Sequence, residues 1–135
     1  MSEKAFLDTN ILLYTIGQHD VRTPVAEALV AQGGVISVQV LNELAAVARR
    51  QLKMSWPNVV AALDAIRTLC PSVVPLQVET HEAALRLAVR YGFHIDDALI
   101  IAAALEAGCV TLYSEDLQSG QVIGGRLKIR NPFAG

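Results

Sequence analysis

Four acidic residues stand where the chain passes from short apolar segments into helical ones, and they are the strongest candidates for chemistry. Asp8 follows AFL, Glu43 comes shortly after VISV, Asp97 opens DALIIAAALEAG, and Asp116 comes just after TLYS. Taken alone, each has an ordinary explanation as a helix cap, a solvated helix face, a first-turn acid or an Asx turn. Their chemistry therefore depends on whether the fold brings them together.

The segments that carry these acids alternate between two kinds. Short apolar runs rich in β-branched residues are followed by longer helical segments, which is the pattern of β-α-β units. We predict an α/β fold, with one domain over residues 1–135, a mostly parallel five-stranded sheet and helices on both faces. The predicted strands lie near Lys4–Leu7, Val35–Val38, Val73–Leu76, Val110–Tyr113 and Leu127–Ile129.

Local capping signals mark the predicted helices. The polar triplet after the first strand predicts that the strand stops at Asp8 and that a helix starts near Asn10. Further helices are predicted from Thr23 to Gln32, from Ser55 to Leu69, from Thr80 to Gly92 and from Asp97 to Ala107. The last of these is apolar on nearly every side, so we expect it to be the most buried helix.

In a parallel sheet, the strand ends and helix starts meet at one edge, so the four acids are expected in one crevice. Two carboxylates about 4 Å apart repel by on the order of 4 kcal/mol at an effective dielectric constant of about 20. The cluster has no dedicated lysine, and hard divalent cations such as Mg²⁺ prefer oxygen ligands. This arrangement indicates metal-assisted cleavage of phosphodiester bonds.

The composition argues against several other classes of protein. A formal net charge of −2 argues against binding nucleic acid through bulk positive charge, so phosphate groups must be held locally. The chain is 53% hydrophobic, but its longest apolar run, ALIIAAAL, is far shorter than the roughly 20 residues of a membrane-spanning helix. No signal peptide is evident, so we expect a cytoplasmic protein without membrane contact. Cys70 and Cys109 lack metal-binding spacing and are expected to be buried free thiols.

Several motifs, in order along nearly the whole chain, resemble one known family. FLDTNILLY, LNELA, DALIIAAALEAGC, LYSEDLQSGQ and the closing LKIRNPF are similar to the PIN domain, as found in the VapC-type toxins of toxin–antitoxin modules. The resemblance implies a PIN-like domain with Mg²⁺- or Mn²⁺-dependent endoribonuclease activity. It also implies an RNA substrate, a homodimer and inhibition by a small antitoxin protein.

The resemblance implies roles for particular residues. It makes Asp8, Glu43, Asp97 and Asp116 the acidic metal ligands, Asn10 and Ser114 water-orienting residues, and Thr9 a support for the turn. Two positions depart from the family pattern. Asp96 stands where many relatives have an aromatic residue, and we interpret it as a cap beside the ligand Asp97. Ser119 stands where a histidine is frequent, which affects only a contact at the rim.

Other functions use similar chemistry. A PIN-domain nuclease could serve general RNA processing, or the fold could be an inactive binding scaffold. A phosphotransfer receiver also has an acidic Mg²⁺ pocket, but its third strand would end in an aspartate, and here that strand reads VVPLQVE. A haloacid-dehalogenase-type phosphatase would have a second aspartate at the position of Asn10.

Further residues are candidates for contacts with the substrate. RNA phosphates could be held by Arg49, Arg50 and Lys53, or these residues could form a solvated face. His94 could also reach the substrate.

Overall fold

Strands and helices alternate along the computed structural model, which describes residues 4–17 and 19–134. Within these residues the strands are β1 (Ala5–Leu7), β2 (Ile36–Ser37), β3 (Val73–Val74), β4 (Thr111–Tyr113), β5 (Val122–Ile123) and β6 (Leu127–Arg130). The helices are α1 (Thr9–Ile16), α2 (Thr23–Ala31), α3 (Val38–Arg50), α4 (Trp56–Leu69), α5 (Val78–Tyr91) and α6 (Ile95–Glu106). The predicted α/β class is confirmed.

The strands form a mostly parallel arrangement. One sheet has the order β1-β4-β6-β5, and β2 pairs with β3 in a second, parallel pair. A parallel bridge between Phe6 and Val35 joins the two, with the Leu7 N–H donating to the Val35 carbonyl at 2.9 Å. The prediction of five strands was wrong by one, because it left out the two-residue strand β5, which pairs antiparallel with β6 after a tight turn.

Two helices have the predicted cap, whereas α2 does not: Arg22 precedes it without a side-chain capping hydrogen bond, and Thr23 is its first residue. Asp8 caps α1, and the Ser55 hydroxyl, which caps α4, accepts from the Asn58 N–H at 3.3 Å. Helix α5 begins at Val78, two residues before the predicted start, and Thr80 caps it from its third position by accepting from the Gln77 N–H. The interpretation of Asp96 as a cap was wrong: His94 occupies that position, and Asp96 lies in the first turn of α6.

The core centres on α6, as predicted. Half of its twelve residues are buried, and it contacts α5, α3 and the β2–β3 pair. Cys70 and Cys109 are buried free thiols, and burial raises the pKa of both. In the part of the chain that the structure describes, no helix combines the length and the apolar character needed to span a bilayer. Helix α6 is therefore fixed by its packing against α5, α3 and the β2–β3 pair.

Candidate active site

The register of β1 against β4 places Asp8 beside Ser114. Leu7 pairs with Tyr113, and the Asp8 N–H continues the ladder by donating to the Tyr113 carbonyl at 3.0 Å. The next residue on β4's side, Ser114, then donates its hydroxyl to Asp8 Oδ2 at 2.8 Å, while the Thr9 N–H donates to Asp8 Oδ1 at 2.7 Å. Asp8 is only 4% exposed, so its carboxylate is held in one orientation.

Glu43 is held against the start of α1. Its Oε1 accepts a hydrogen bond from the Thr9 hydroxyl at 2.9 Å, and its Oε2 accepts one from the Gln39 amide at 2.9 Å, one turn earlier on α3. The resemblance implied only that Thr9 supports the turn, but its contacts give it a larger role. It connects two predicted metal ligands, because its backbone binds Asp8 and its side chain binds Glu43.

Asn10 connects α1 to the loop after β4. Its amide nitrogen donates to Asp116 Oδ2 at 3.2 Å and lies 3.4 Å from both Ser114 Oγ and Asp8 Oδ2. Its amide oxygen accepts from the Glu115 N–H at 3.1 Å. The neutral amide thus lies between two carboxylates and reduces their repulsion.

All four predicted acids reach one open cleft of about 420 Å³, which we call the acidic cleft. Its lining includes Asp8, Asn10, Glu43, His94, Asp96, Asp97, Asp116 and Arg50. Ser114 is fully buried and lies behind Asp8 instead of lining the cleft. The fold therefore brings the four acids together, as the strand topology predicted, although they lie up to 108 positions apart in the sequence. Their roles as metal ligands stay predictions.

Crowding and burial disfavour the charged form of two of these acids. Burial raises the pKa of Asp8 to about 6, against the hydrogen bonds from Ser114 and Thr9, and the carboxylates of Glu43 and Asp97 add to the rise. Burial also raises the pKa of Asp97, against the nearby His94, and Asp116 and Asp96 contribute to that rise. Among the described residues that line the cleft, the basic ones are Arg50 and His94.

The side chains of the cleft are of the type that binds a hard divalent cation, although they are not arranged as a complete coordination sphere. Carboxylate oxygens dominate the cleft, and no lysine lines it among the described residues. Within residues 4–17 and 19–134, no three side chains of His, Cys, Asp or Glu are grouped closely enough to hold a metal ion. The Asn10 amide instead lies between the Asp8 and Asp116 carboxylates.

A network beside the cleft was missed by the sequence analysis. The Glu115 carboxylate accepts from the Tyr14 hydroxyl at 2.6 Å and pairs with the Arg22 guanidinium at 2.7 Å. Arg22 also pairs with Asp20 and lies over the Tyr14 ring, 4.7 Å from its centroid. Because the Glu115 N–H binds Asn10, this network holds the loop that carries Ser114 and Asp116. No local sequence signal joins residues 93 positions apart, such as Arg22 and Glu115.

The fold and the cleft agree with one protein family. The sequence profile of the PIN domain matches residues 5–122, so the chain belongs to the PIN domain family. No curated protein sequence matches it.

Solved structures of toxins and toxin–antitoxin complexes are similar to this chain. VapC20 of Mycobacterium tuberculosis, described as a sarcin–ricin loop cleaving toxin, is 26% identical over 84% of this chain and 90% of its own, with a TM-score of 0.68. VapBC2 from Rickettsia felis, solved with a DNA fragment from its promoter, is 22% identical over 94% and 97% of the two chains, with a TM-score of 0.67. A toxin–antitoxin complex from Klebsiella pneumoniae is 19% identical over 96% and 98%, with a TM-score of 0.71.

Proposed function

We propose that this PIN-domain protein is a Mg²⁺- or Mn²⁺-dependent endoribonuclease and the toxin of a type II toxin–antitoxin pair. The observation that carries the proposal is the convergence of Asp8, Glu43, Asp97 and Asp116 on one cleft. The similarity to VapC20, a toxin that cleaves the sarcin–ricin loop, supports RNA as the substrate. Family membership also favours this assignment over the receiver and phosphatase alternatives, which have other sequence patterns.

The roles of the residues follow from their contacts. Asp8, Glu43, Asp97 and Asp116 would hold the cation, and the bound ion would supply an activated water and neutralise charge on the leaving oxygen. Thr9 and Ser114 orient Asp8, so the buried carboxylate needs little reorganisation when it binds. Asn10 keeps Asp116 beside Asp8, since its amide donates to one and lies within 3.4 Å of the other.

The cleft also contains a residue suited to hold the RNA backbone. Arg50 ends α3 and lines the cleft, whereas its neighbour Arg49 donates to the Met54 carbonyl at 2.8 Å and lies over the Trp56 ring at 4.7 Å. Of Arg49, Arg50 and Lys53, which the sequence offered as phosphate-binding residues, only Arg50 lines the cleft. A guanidinium can bind a phosphate with two parallel hydrogen bonds. We therefore assign Arg50, and not Arg49, to a substrate phosphate that neighbours the one that is cleaved.

Arg50→Gln is expected to raise the KM for RNA by about tenfold and to change kcat by less than about threefold, because the lost contact is to a phosphate away from the reacting atoms. Steady-state cleavage of a labelled RNA hairpin measures both constants. Arg67→Gln on α4, which also removes one exposed arginine, is the matched control and should leave both constants unchanged. A fall in kcat with an unchanged KM would contradict the assignment.

A second groove supports an antitoxin as the partner. Helices α1, α2 and α4 enclose an apolar groove of about 400 Å³, lined by Ile16, Val30, Ala62, Ile66 and Leu69 among others. Leu69, one of the lining residues, is 51% exposed, and an apolar segment bound in the groove would bury it. We propose that an apolar segment of the antitoxin fills this groove, in line with the toxin–antitoxin complexes among the similar structures. The homodimer stays a prediction.

The direct test is cleavage of a structured RNA by the purified protein. We expect cleavage with millimolar Mg²⁺ or Mn²⁺ and none in EDTA. Activity that persists in EDTA would overturn the metal dependence, and no activity with either metal would overturn the nuclease assignment. Growth arrest on expression, relieved by coexpression of a small protein encoded next to the gene, would separate a toxin from a nuclease of general RNA processing.

A further inference from the structure

A second charged cleft lies away from the acids. It is formed by α5, the C-terminal end of α6 and the turn between β5 and β6, and it has a volume of about 490 Å³. We call it the basic cleft, and define it by Arg86, Arg90, Tyr91, Leu105, Glu106 and Arg126. With three arginines and one glutamate, its formal charge is +2, whereas the whole protein carries −2.

The three arginines have no carboxylate partners among the described residues. The ion pairs found there both involve Arg22, which pairs with Asp20 and Glu115. The Glu106 carboxylate already accepts a hydrogen bond from the Thr80 hydroxyl at 3.1 Å. The three guanidinium groups of this concave surface outnumber its one carboxylate by two, and an anion would relieve the repulsion between them.

Two of these arginines are held in place by the fold. One guanidinium N–H of Arg126 donates a hydrogen bond to the Leu105 carbonyl at 2.8 Å, and the other N–H groups stay available. Arg90 lies over the Tyr91 ring, 5.2 Å from its centroid, and the Tyr91 hydroxyl accepts from the Gly124 N–H at 3.2 Å. Side chains that are already ordered lose less conformational entropy when they bind a ligand. The basic cleft is therefore prepared for an oxyanion.

We propose that the basic cleft binds two neighbouring backbone phosphates of the RNA substrate at a distance from the cleavage site. The proposal rests on the proposed function, and it names a second contact with the same RNA. Helix α6 joins the two sites, because Asp97 lines the acidic cleft and Leu105 lines the basic cleft about 12 Å further along the helix axis.

The charges of the protein favour RNA as the occupant. The acidic cleft carries five carboxylates, so it repels phosphates except beside the cation and beside Arg50. A chain with a net charge of −2 cannot hold RNA by bulk attraction, so a local positive surface has to supply it. The apolar lining from Ala83, Leu87 and Ala102 adds a surface that a ribose or a base can contact.

The test measures RNA binding without cleavage. Every protein carries Asp97→Asn, and fluorescence anisotropy with a labelled RNA hairpin that has single-stranded extensions gives Kd over a series of KCl concentrations. Adding Arg86→Gln and Arg90→Gln is expected to raise Kd about tenfold at low salt. It should also reduce the slope of log K against log salt by about 1.4, which is about 0.7 for each lost phosphate contact with a single strand.

The matched control replaces Arg67 and Lys128 by glutamine, which removes the same charge from exposed positions outside the basic cleft. Circular dichroism confirms folding, and Arg86→Gln alone gives half of the slope change if the double variant does not fold. An unchanged Kd and slope, a loss equal to that of the control, or no RNA binding by any variant would each overturn the proposal. The proposal would also be overturned if the Arg86→Gln, Arg90→Gln variant bound RNA normally but no longer bound a coexpressed protein partner. Failure of the proposed function is read separately, as absence of cleavage by the wild-type protein.

Discussion

Replacing Asp97 by asparagine is expected to reduce metal-dependent RNA cleavage by at least about 100-fold, equivalent to roughly 2.7 kcal/mol of transition-state stabilisation. Asp97 is half-buried in the first turn of α6 and faces the same cleft as Asp8 and Asp116. Asparagine keeps the size of the side chain but loses the charge that would hold the cation. The measurement is single-turnover cleavage of a structured RNA in Mg²⁺ or Mn²⁺, with EDTA as the blank.

Asp96→Asn is the matched control for Asp97→Asn. Asp96 is the adjacent acid, it also lines the cleft, and it is exposed. Its loss removes a favourable interaction with the helix dipole worth about 0.3–1 kcal/mol, so activity should stay within about threefold of the wild type. Circular dichroism checks that both variants fold. Equal activity in the two variants would show that the ligand has been assigned to the wrong residue.

Asp8→Asn is expected to make the metal-free protein more stable and, at the same time, less responsive to metal. The pKa of Asp8 is about 6 in the folded protein, above its ordinary value of 3.8. A group with a raised pKa destabilises the folded state progressively as the pH rises from the unfolded value through the folded one. Above about pH 6 the cost is on the order of 3 kcal/mol, and the uncharged asparagine side chain of the variant would not carry it.

Melting curves at pH 4.5 and pH 8 test this expectation. Without metal, the variant should melt on the order of 10 °C above the wild type at pH 8, and the difference should shrink at pH 4.5. Added Mg²⁺ or Mn²⁺ should stabilise the wild type by mass action and shift the variant less. Asp64→Asn, an exposed acid on α4, should behave as the wild type does. An equal metal shift in Asp8→Asn and the wild type would place the cation elsewhere.

The sequence alone was sufficient for much of the fold. Alternating apolar runs, Ser and Thr caps and the nearly all-apolar α6 predicted the elements to within a few residues, because these signals act between neighbours in the chain. The parallel topology also predicted that Asp8 and Asp116 would meet, since the carboxyl ends of β1 and β4 lie at one edge. One strand, β5, was not predicted. Strand β5 has two residues, and its pairing is decided by the turn before β6.

The detailed geometry of both clefts was decided by the tertiary structure. Whether Ser114 binds Asp8, and whether Arg50 or Arg49 enters the acidic cleft, depends on strand register and on how α3 packs. The network of Tyr14, Arg22 and Glu115 and the three arginines of the basic cleft likewise join distant segments. Caps and hydrophobic period are properties of a local window. Contacts between residues about 100 positions apart are set only when sheet and helices pack together, which no local pattern of this sequence specifies.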